Sequence, residues 1–288
     1  MPEALRLLRR KIRTVRSIEH ITRAMQFVAA AKLQKLQRRV AAGRDYAQRL
    51  EALLQRLAAS VEQGEHPYLT AREPRQALVV VMAGDRGLCG AFNQQLLRAA
   101  EAMLGRMLVP VQVLTVGERA ARWARRAGLE PLASYPGVSD PSRTGAAHQL
   151  ARRLRALYDE EQVDEIHVVY EDFQSVFRHR PLTTQLLPVR LPEGQDPSLL
   201  AAPYETEPPG PELLAALLPQ AVDALVYQMA LGTQAAEQAA RMTAMQAATD
   251  NAGELITGLS RRLNRARQTG ITSEMLDVVS GAAATGAV

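Results

Sequence analysis

One cysteine, Cys89, is all the chain contains. An internal disulfide is therefore excluded, and a reducing compartment is the default expectation. Aromatic residues are scarce at 4%, and only Phe27, Tyr46 and Tyr227 lie outside the stretch from Tyr68 to Tyr204. Large aromatics fill thick cores, so the globular core is expected in the middle and slender structure at both ends. No run of eighteen apolar residues occurs, which argues against a transmembrane segment, and the N-terminus lacks the apolar centre of a secretory signal. Its Arg-rich start reads as mature structure, because its heptad pattern runs on into the following forty residues. The five histidines (His20, His66, His148, His167, His179) are scattered without ligand spacing, so neither a metal site nor a cofactor site is expected. Acidic residues are few at the start: residues 1–60 hold four Asp/Glu against fourteen Lys/Arg, a local +10 in a chain of net charge +5.

What the ends do have is helix-forming pattern. Leu5, Leu8, Ile12 and Val15 step by three and four, and the stripe shifts phase through Ile18, Ile21, Met25 and Val28. It continues through Leu33, Leu36, Val40, Ala47, Leu50, Leu54 and Leu57. A seam sustained over so many heptads predicts one long helix paired with another, with Gly43 as its single interior break. At the other end no proline follows Pro219, and Met229, Ala235, Ala236, Ala239, Ala240, Met242, Met245 and Ala248 favour helix. A helix from Gln220 to Ser280 would extend roughly 90 Å at 1.5 Å per residue, too long for a domain of this size to bury by itself. It requires a second long helix, other chains, or both. Pro219 is placed where this helix begins or kinks, after a short helix ELLAALL.

Between the ends the pattern alternates. QALVVVMAG, PVQVLTVG and VDEIHVVYEDF read as strands, and RPLTTQLLPVRL as an edge strand limited by prolines. NQQLLRAAEAMLGRM, GERAARWARRAG and TGAAHQLARRLRALYDEE read as helices. Alternation of this kind predicts a mostly parallel sheet covered by helices. The expected fold class is α/β, a long antiparallel coiled coil of N- and C-terminal helices flanking a Rossmann-like α/β domain. The expected divisions are 1–60 (N-terminal helix), 75–191 (α/β domain), 192–211 (a Pro/Gly-rich linker) and 212–288 (C-terminal helix).

Chemistry-bearing motifs are sparse. GDRGLCGAFN (84–93) stands between a strand and a helix, where glycine-rich turns can hold phosphate. It lacks the Lys-Ser/Thr of a P-loop, and its glycines do not follow G-x-G-x-x-G. A tight turn presenting Asp85 and Arg86 is the plainer reading. Cys89 has no histidine placed beside it. Tyr170, Glu171 and Asp172 end a strand, where sites of this fold class collect, although a solvated strand end is the simpler reading. The basic first helix could attract nucleic acid, but no stacking aromatics interleave its arginines. An acidic protein partner suits it as well.

ITRAMQFVAAAKL (21–33), DRGLCGAFN (85–93), AARMTAMQAATDNAGELI (239–256) and NRARQTGITSEMLDVVSGAAA (264–284) together resemble the gamma subunit of F-type ATP synthase. The resemblance covers both termini and the first strand-turn-helix, while 105–210 matches in size and pattern. Gly84, Arg261-Arg262 and Thr269-Gly270 depart from the family's usual residues. The resemblance implies a central rotor shaft without chemistry of its own, coupling proton flow to ATP synthesis or hydrolysis. Its implied partners are the alpha and beta subunits, the epsilon subunit and the membrane c-ring, on the cytoplasmic face of a bacterial cell membrane, with no nucleic acid. By matching position, Arg267 and Gln268 would hydrogen-bond a catch loop of a beta subunit, with Thr272 and Glu274 on the same stretch. Arg23, Met25 and Arg241 would face the beta subunits' acidic lever, and Asp85 and Arg86 would touch the lower rim of the ring. The alternative is a Rossmann-like small-molecule enzyme with helical oligomerisation arms.

Overall fold

The computed structural model describes residues 2–58, 66–136, 144–189 and 207–284. In chain order the elements are α1 (Pro2–Ala58), β1 (Ala77–Met82), α2 (Phe92–Leu104), β2 (Val111–Val116), α3 (Glu118–Arg126), β3 (Ala133–Tyr135), α4 (Thr144–Asp159), β4 (Glu165–Phe173), β5 (His179–Leu187) and α5 (Gly210–Ala284). The chain forms two compact units, residues 1–29 with 242–288, and residues 30–241. Both boundaries fall inside α1 and α5, so each long helix contributes to both units.

In the larger unit a five-stranded sheet runs in the order β3-β2-β1-β4-β5. β1 pairs in parallel with β2 and β4, β2 with β3, and only β5 runs antiparallel, beside β4. All six residues of β1 are buried, as a central strand covered on both faces requires. Leu78, Val80, Met82, Leu114, Val116, Ile166 and Val168 join one core with Leu150, Leu154 and Leu157 of α4, the end of α1 and the first turns of α5. Each fully buried leucine there contributes on the order of 2 kcal/mol. Phe92, Leu96 and Ala100 are the buried positions of α2, and Ala120, Ala121, Trp123 and Ala124 those of α3.

Several expectations are corrected. Gly43 does not break α1: the Gln228 side chain lies against it and donates to Val40 O at 3.2 Å, filling the space a side chain would take. Pro219 neither starts nor separates a helix, since α5 passes through it from Gly210. The hydrogen bond that Pro219 cannot donate is offset by Leu214, Leu218 and Val222, all at most 1% exposed in the main core. β3 is an additional three-residue strand between Leu132 and Pro136. A further correction concerns hydropathy. Polar residues interrupt every long apolar run, yet α5 contains an 18-residue stretch of mean hydropathy 1.4, long and apolar enough by composition to cross a membrane. Most of the linker expected at 192–211 lies outside the described residues; its last two positions, Gly210 and Pro211, are already helical.

Candidate functional site

In the smaller unit α1 and α5 pair antiparallel. Thr22 Oγ1 and Thr249 Oγ1 are 2.8 Å apart, and the Gln26 amide donates to Gln246 one turn further along α1 and one turn earlier on α5. Ile12, Ala29, Met245 and Ala252 are buried in the same unit, so alanines narrow parts of the seam. Arg23 is exposed, with its guanidinium 2.8 Å from Glu19 on the preceding turn, while Met25 is half-buried. Arg10, Arg13, Thr14 and Ser17 line a shallow recess on the same helix.

Towards its end α5 becomes exposed. Arg267, Gln268, Thr272 and Glu274 are all exposed, and Thr272 Oγ1 donates to Gln268 O at 3.0 Å. Ile271, Met275, Leu276, Val278 and Val279 are exposed between 49% and 72%. Helical spacing sets Arg267, Ile271, Glu274 and Val278 on one face, and Gln268, Thr272, Met275 and Val279 on the next. That alternation of polar hooks and uncovered apolar side chains gives this end two faces suited to contact with other protein.

In the larger unit the GDRGLCGAFN segment is a tight strand-to-helix turn docked on α5. Gly84 N–H donates to Asn93 Oδ1 at 2.9 Å, and Asn93 Nδ2 donates to Arg86 O at 3.3 Å and Cys89 Sγ at 3.1 Å. Asp85 Oδ1 accepts from Glu118 N–H at 3.0 Å, a carboxylate at the positive end of α3. Arg86 points outward, exposed, while Asp85 is half-buried. Arg241 donates to Gly87 O at 3.3 Å and to Glu237 Oε1 at 2.6 Å. With Arg241 9% and Glu237 3% exposed, this pair is a buried bridge between the turn and the helix. Burial raises the Glu237 carboxyl above its ordinary range, Arg241 opposes that, and Asp85 adds to it. Burial likewise holds the Cys89 thiol up, with Glu237 adding to it.

The structure thus places Arg267, Gln268, Thr272 and Glu274 together on one exposed helix end, and Arg23 with Met25 on α1. Arg241 is brought to Asp85's turn and turned to Glu237. The strand end at 170–172 is solvated only in part: Tyr170 and Asp172 are half-buried, whereas Glu171 is fully buried, with Oε1 2.8 Å from His179 Nδ1. Desolvation raises its carboxyl, which His179 opposes. Glu237, the Thr22–Thr249 contact and the Glu171–His179 pair escaped the sequence reading. The legible signal for Glu237 was the ladder Thr233, Glu237, Arg241 at four-residue spacing in an otherwise alanine-rich seam. Among the described residues no cluster of three metal-ligating side chains occurs.

The family described as ATP synthase matches residues 4–285. The ATP synthase gamma chain of Desulforamulus reducens is 40% identical over 279 residues, covering 96% of this chain and 97% of that one. That of Desulfitobacterium hafniense is 38% identical over 277 residues, with 96% and 97% covered. Among solved structures, a chain from the Euglena gracilis mitochondrial ATP synthase (OSCP/F1/c-ring) covers 100% of this chain and 96% of its own at TM-score 0.70 and 16% identity, a likeness of fold. A unit of paired terminal helices and a unit with a parallel-dominated sheet, together with the family match over residues 4–285, define a subunit of the membrane-associated ATP synthase complex. Within that complex, the chain belongs to the gamma-chain family.

Proposed function

We propose that this chain is the central-stalk rotor of a proton-translocating F-type ATP synthase, making and breaking no bond itself. The observation that carries the reading is the antiparallel α1–α5 pair, fixed at Thr22 and Thr249, continuing into an α5 end whose polar and apolar side chains stand uncovered. A helix end of that composition is stable in water only at a cost, and a surrounding protein sleeve removes it. The partners we assign are alpha and beta subunits around the paired helices, and epsilon and the c-ring against the rest of the rotor, at the cytoplasmic face of the cell membrane. Arg267, Gln268, Thr272 and Glu274 hook one beta subunit; Arg23 and Met25 serve the region of the acidic lever, Asp85 and Arg86 the lower rim, and Arg241, turned inward to Glu237, braces the turn that carries Asp85 and Arg86.

The mechanism follows from asymmetry. A shaft with different side chains on different faces meets three equivalent catalytic subunits differently, and biases each by its differential contact energy. Rotation exchanges those biases and so drives binding, chemistry and release in turn; hydrolysis reverses the rotation. Exposed basic residues on α1 supply long-range attraction to acidic surfaces of the ring, weakened by salt.

Co-expression with alpha and beta subunits tests the reading. The expected result is a stable complex containing one copy of this chain, with ATP-driven rotation of a probe attached to it. A complex that forms and hydrolyses ATP identically without this chain would refute it, as would nucleotide turnover by the chain alone.

A further inference from the structure

Strand β4 outruns the neighbour it pairs with in parallel. Its register with β1 ends at Val81–Val169, whereas its register with β5 continues to Phe173–His179. Residues 170–173 therefore have a strand on one side only. Backbone groups on the other edge need partners, and both long helices provide them. Glu171 N–H donates to Thr233 Oγ1 of α5 at 3.1 Å, and that hydroxyl donates to Met229 O at 2.9 Å. Arg44 of α1 donates to Phe173 O at 2.8 Å. Gly232 lies so close that a Cβ there would stand 3.2 Å from Glu171 O and 3.8 Å from Phe173 N. Residues 171 and 173 share strand parity with Val169, so these helix contacts occupy the edge that β1 has vacated. The buried Glu171 side chain, bonded to His179, ties the same overhang to β5.

We propose that this overhang keys the α/β sheet to both long helices, with Thr233, Gly232 and Arg44 as positioning residues that make the sheet turn with the shaft. The proposal rests on the rotor reading. One strand held from two separate helices cannot rotate about either helix without breaking a contact to the other. Thr233 is suited to this because its hydroxyl accepts from the strand while donating to its own helix, which holds its rotamer.

The test uses the assembled complex, with an optical probe on Leu108→Cys, a position 99% exposed on the sheet domain. In Thr233→Val the Glu171 amide should exchange about tenfold faster, the scale of one lost hydrogen bond. The probe's angular distribution during nucleotide-paused dwells should widen, while Thr233→Ser retains wild-type values for both. Arg44→Met, removing the largely exposed partner on α1, should widen the distribution independently and carries the test if Thr233→Val fails to assemble. An unchanged distribution in whichever of these variants assembles, or a Thr233→Ser chain as loose as Thr233→Val, overturns the key. A wild-type chain that does not rotate overturns the rotor reading and the key with it, so the two failures are read separately.

Discussion

The hydroxyls of Thr22 and Thr249, 227 residues apart in the chain, meet at 2.8 Å inside the pairing of α1 with α5. Each hydroxyl also lies near a carbonyl of its own helix, Thr22 by Glu19 O at 3.1 Å and Thr249 by Met245 O at 2.8 Å, so one donates across the seam and the other to its own helix. This buried polar contact, with Gln26–Gln246 beside it, favours one register, because sliding either helix separates the two hydroxyls and the two amides. Thr22→Val and Thr249→Val should each destabilise the chain by about 1 kcal/mol. The double variant should cost clearly less than their sum, since either single change already removes the contact between the two hydroxyls. A double-mutant cycle by urea denaturation of the full chain measures this, and strict additivity would contradict the register role.

The Glu237–Arg241 bridge gives a sharper contrast. Arg241→Met leaves a buried carboxylate against the turn at Gly84 and Asp85, with an expected cost of about 3–5 kcal/mol. Glu237→Leu combined with Arg241→Met replaces the pair with apolar groups and should recover most of that loss. Removing Arg241 also takes away the charge that opposes the upward shift of the Glu237 carboxyl. Glu237 should then bind a proton at higher pH in Arg241→Met, followed by NMR of its carboxyl carbon. A single variant no less stable than the double would show that the bridge is not buried in solution.

Tyr68 makes the chain sensitive to alkali. Its hydroxyl donates to Asp159 Oδ2 at 3.0 Å, and burial together with that carboxylate pushes its pKa up from 10.0 to about 12. Between those values the unfolded chain releases the proton while the folded chain keeps it. The stabilisation is therefore fully present below pH 10.0 and lost as pH rises towards about 12. Tyr158, whose hydroxyl is also shifted up by burial, adds to the same slope. Tyr68→Phe should lose about 1 kcal/mol at neutral pH and show a shallower fall above pH 10.0 than the wild type. Melting temperatures across that range decide it, and parallel curves would contradict the assignment.

How far the chain could be read in advance depended on which physics was local. The heptad of α1, the alternation of strand and helix, and β5 as an edge strand were legible because periodicity and proline placement act within one element; that β5 runs antiparallel was not. Pro219 misled because its local cost is overcome by distant burial of Leu214, Leu218 and Val222. β3 is too short for any period to show. Glu171 was hidden for a different reason: a carboxylate at a strand end is ordinarily solvated, and only the register reveals that β4 overhangs β1. The polar residues of the α5 end carried their signal in the motif, and the Glu237–Arg241 spacing is local, but the burial of that pair against the turn at Gly87 depended on tertiary packing.

Two glycines of positive φ should respond very differently to the same change. Gly117 has φ 91° and ψ 147°, a conformation open only to glycine, and a side chain there would collide with the carbonyl of Ala83. Gly117→Ala should cost about 3 kcal/mol or more and disturb the start of α3 beside Asp85. Gly128 has φ 70° with open space around it, so Gly128→Ala should cost only about 1 kcal/mol. Equal losses in chemical denaturation would contradict both the glycine-only conformation and the clash with the Ala83 carbonyl assigned to Gly117.

Gln268→Leu separates a torque-exchanging role from a structural one. Gln268 is exposed on α5, with its carbonyl already taken by Thr272 and its amide facing outward. Replacing an exposed side chain with a helix former of similar length should change the chain's own stability by no more than about 0.5 kcal/mol. If its amide bonds a beta subunit at one stage of the rotation, losing a bond worth about 0.5–1.5 kcal/mol at that stage should slow steady-state turnover by roughly two- to tenfold. The effect should appear in the turnover number rather than in nucleotide affinity, because the contact belongs to one rotational state and not to the nucleotide site. Gln268→Glu, which keeps an acceptor and loses the donor, distinguishes which half of the amide is used. Wild-type turnover in both variants, with normally assembled complex, would remove Gln268 from the rotor's contacts and leave the exposed apolar face of Met275 and Val279 to carry them.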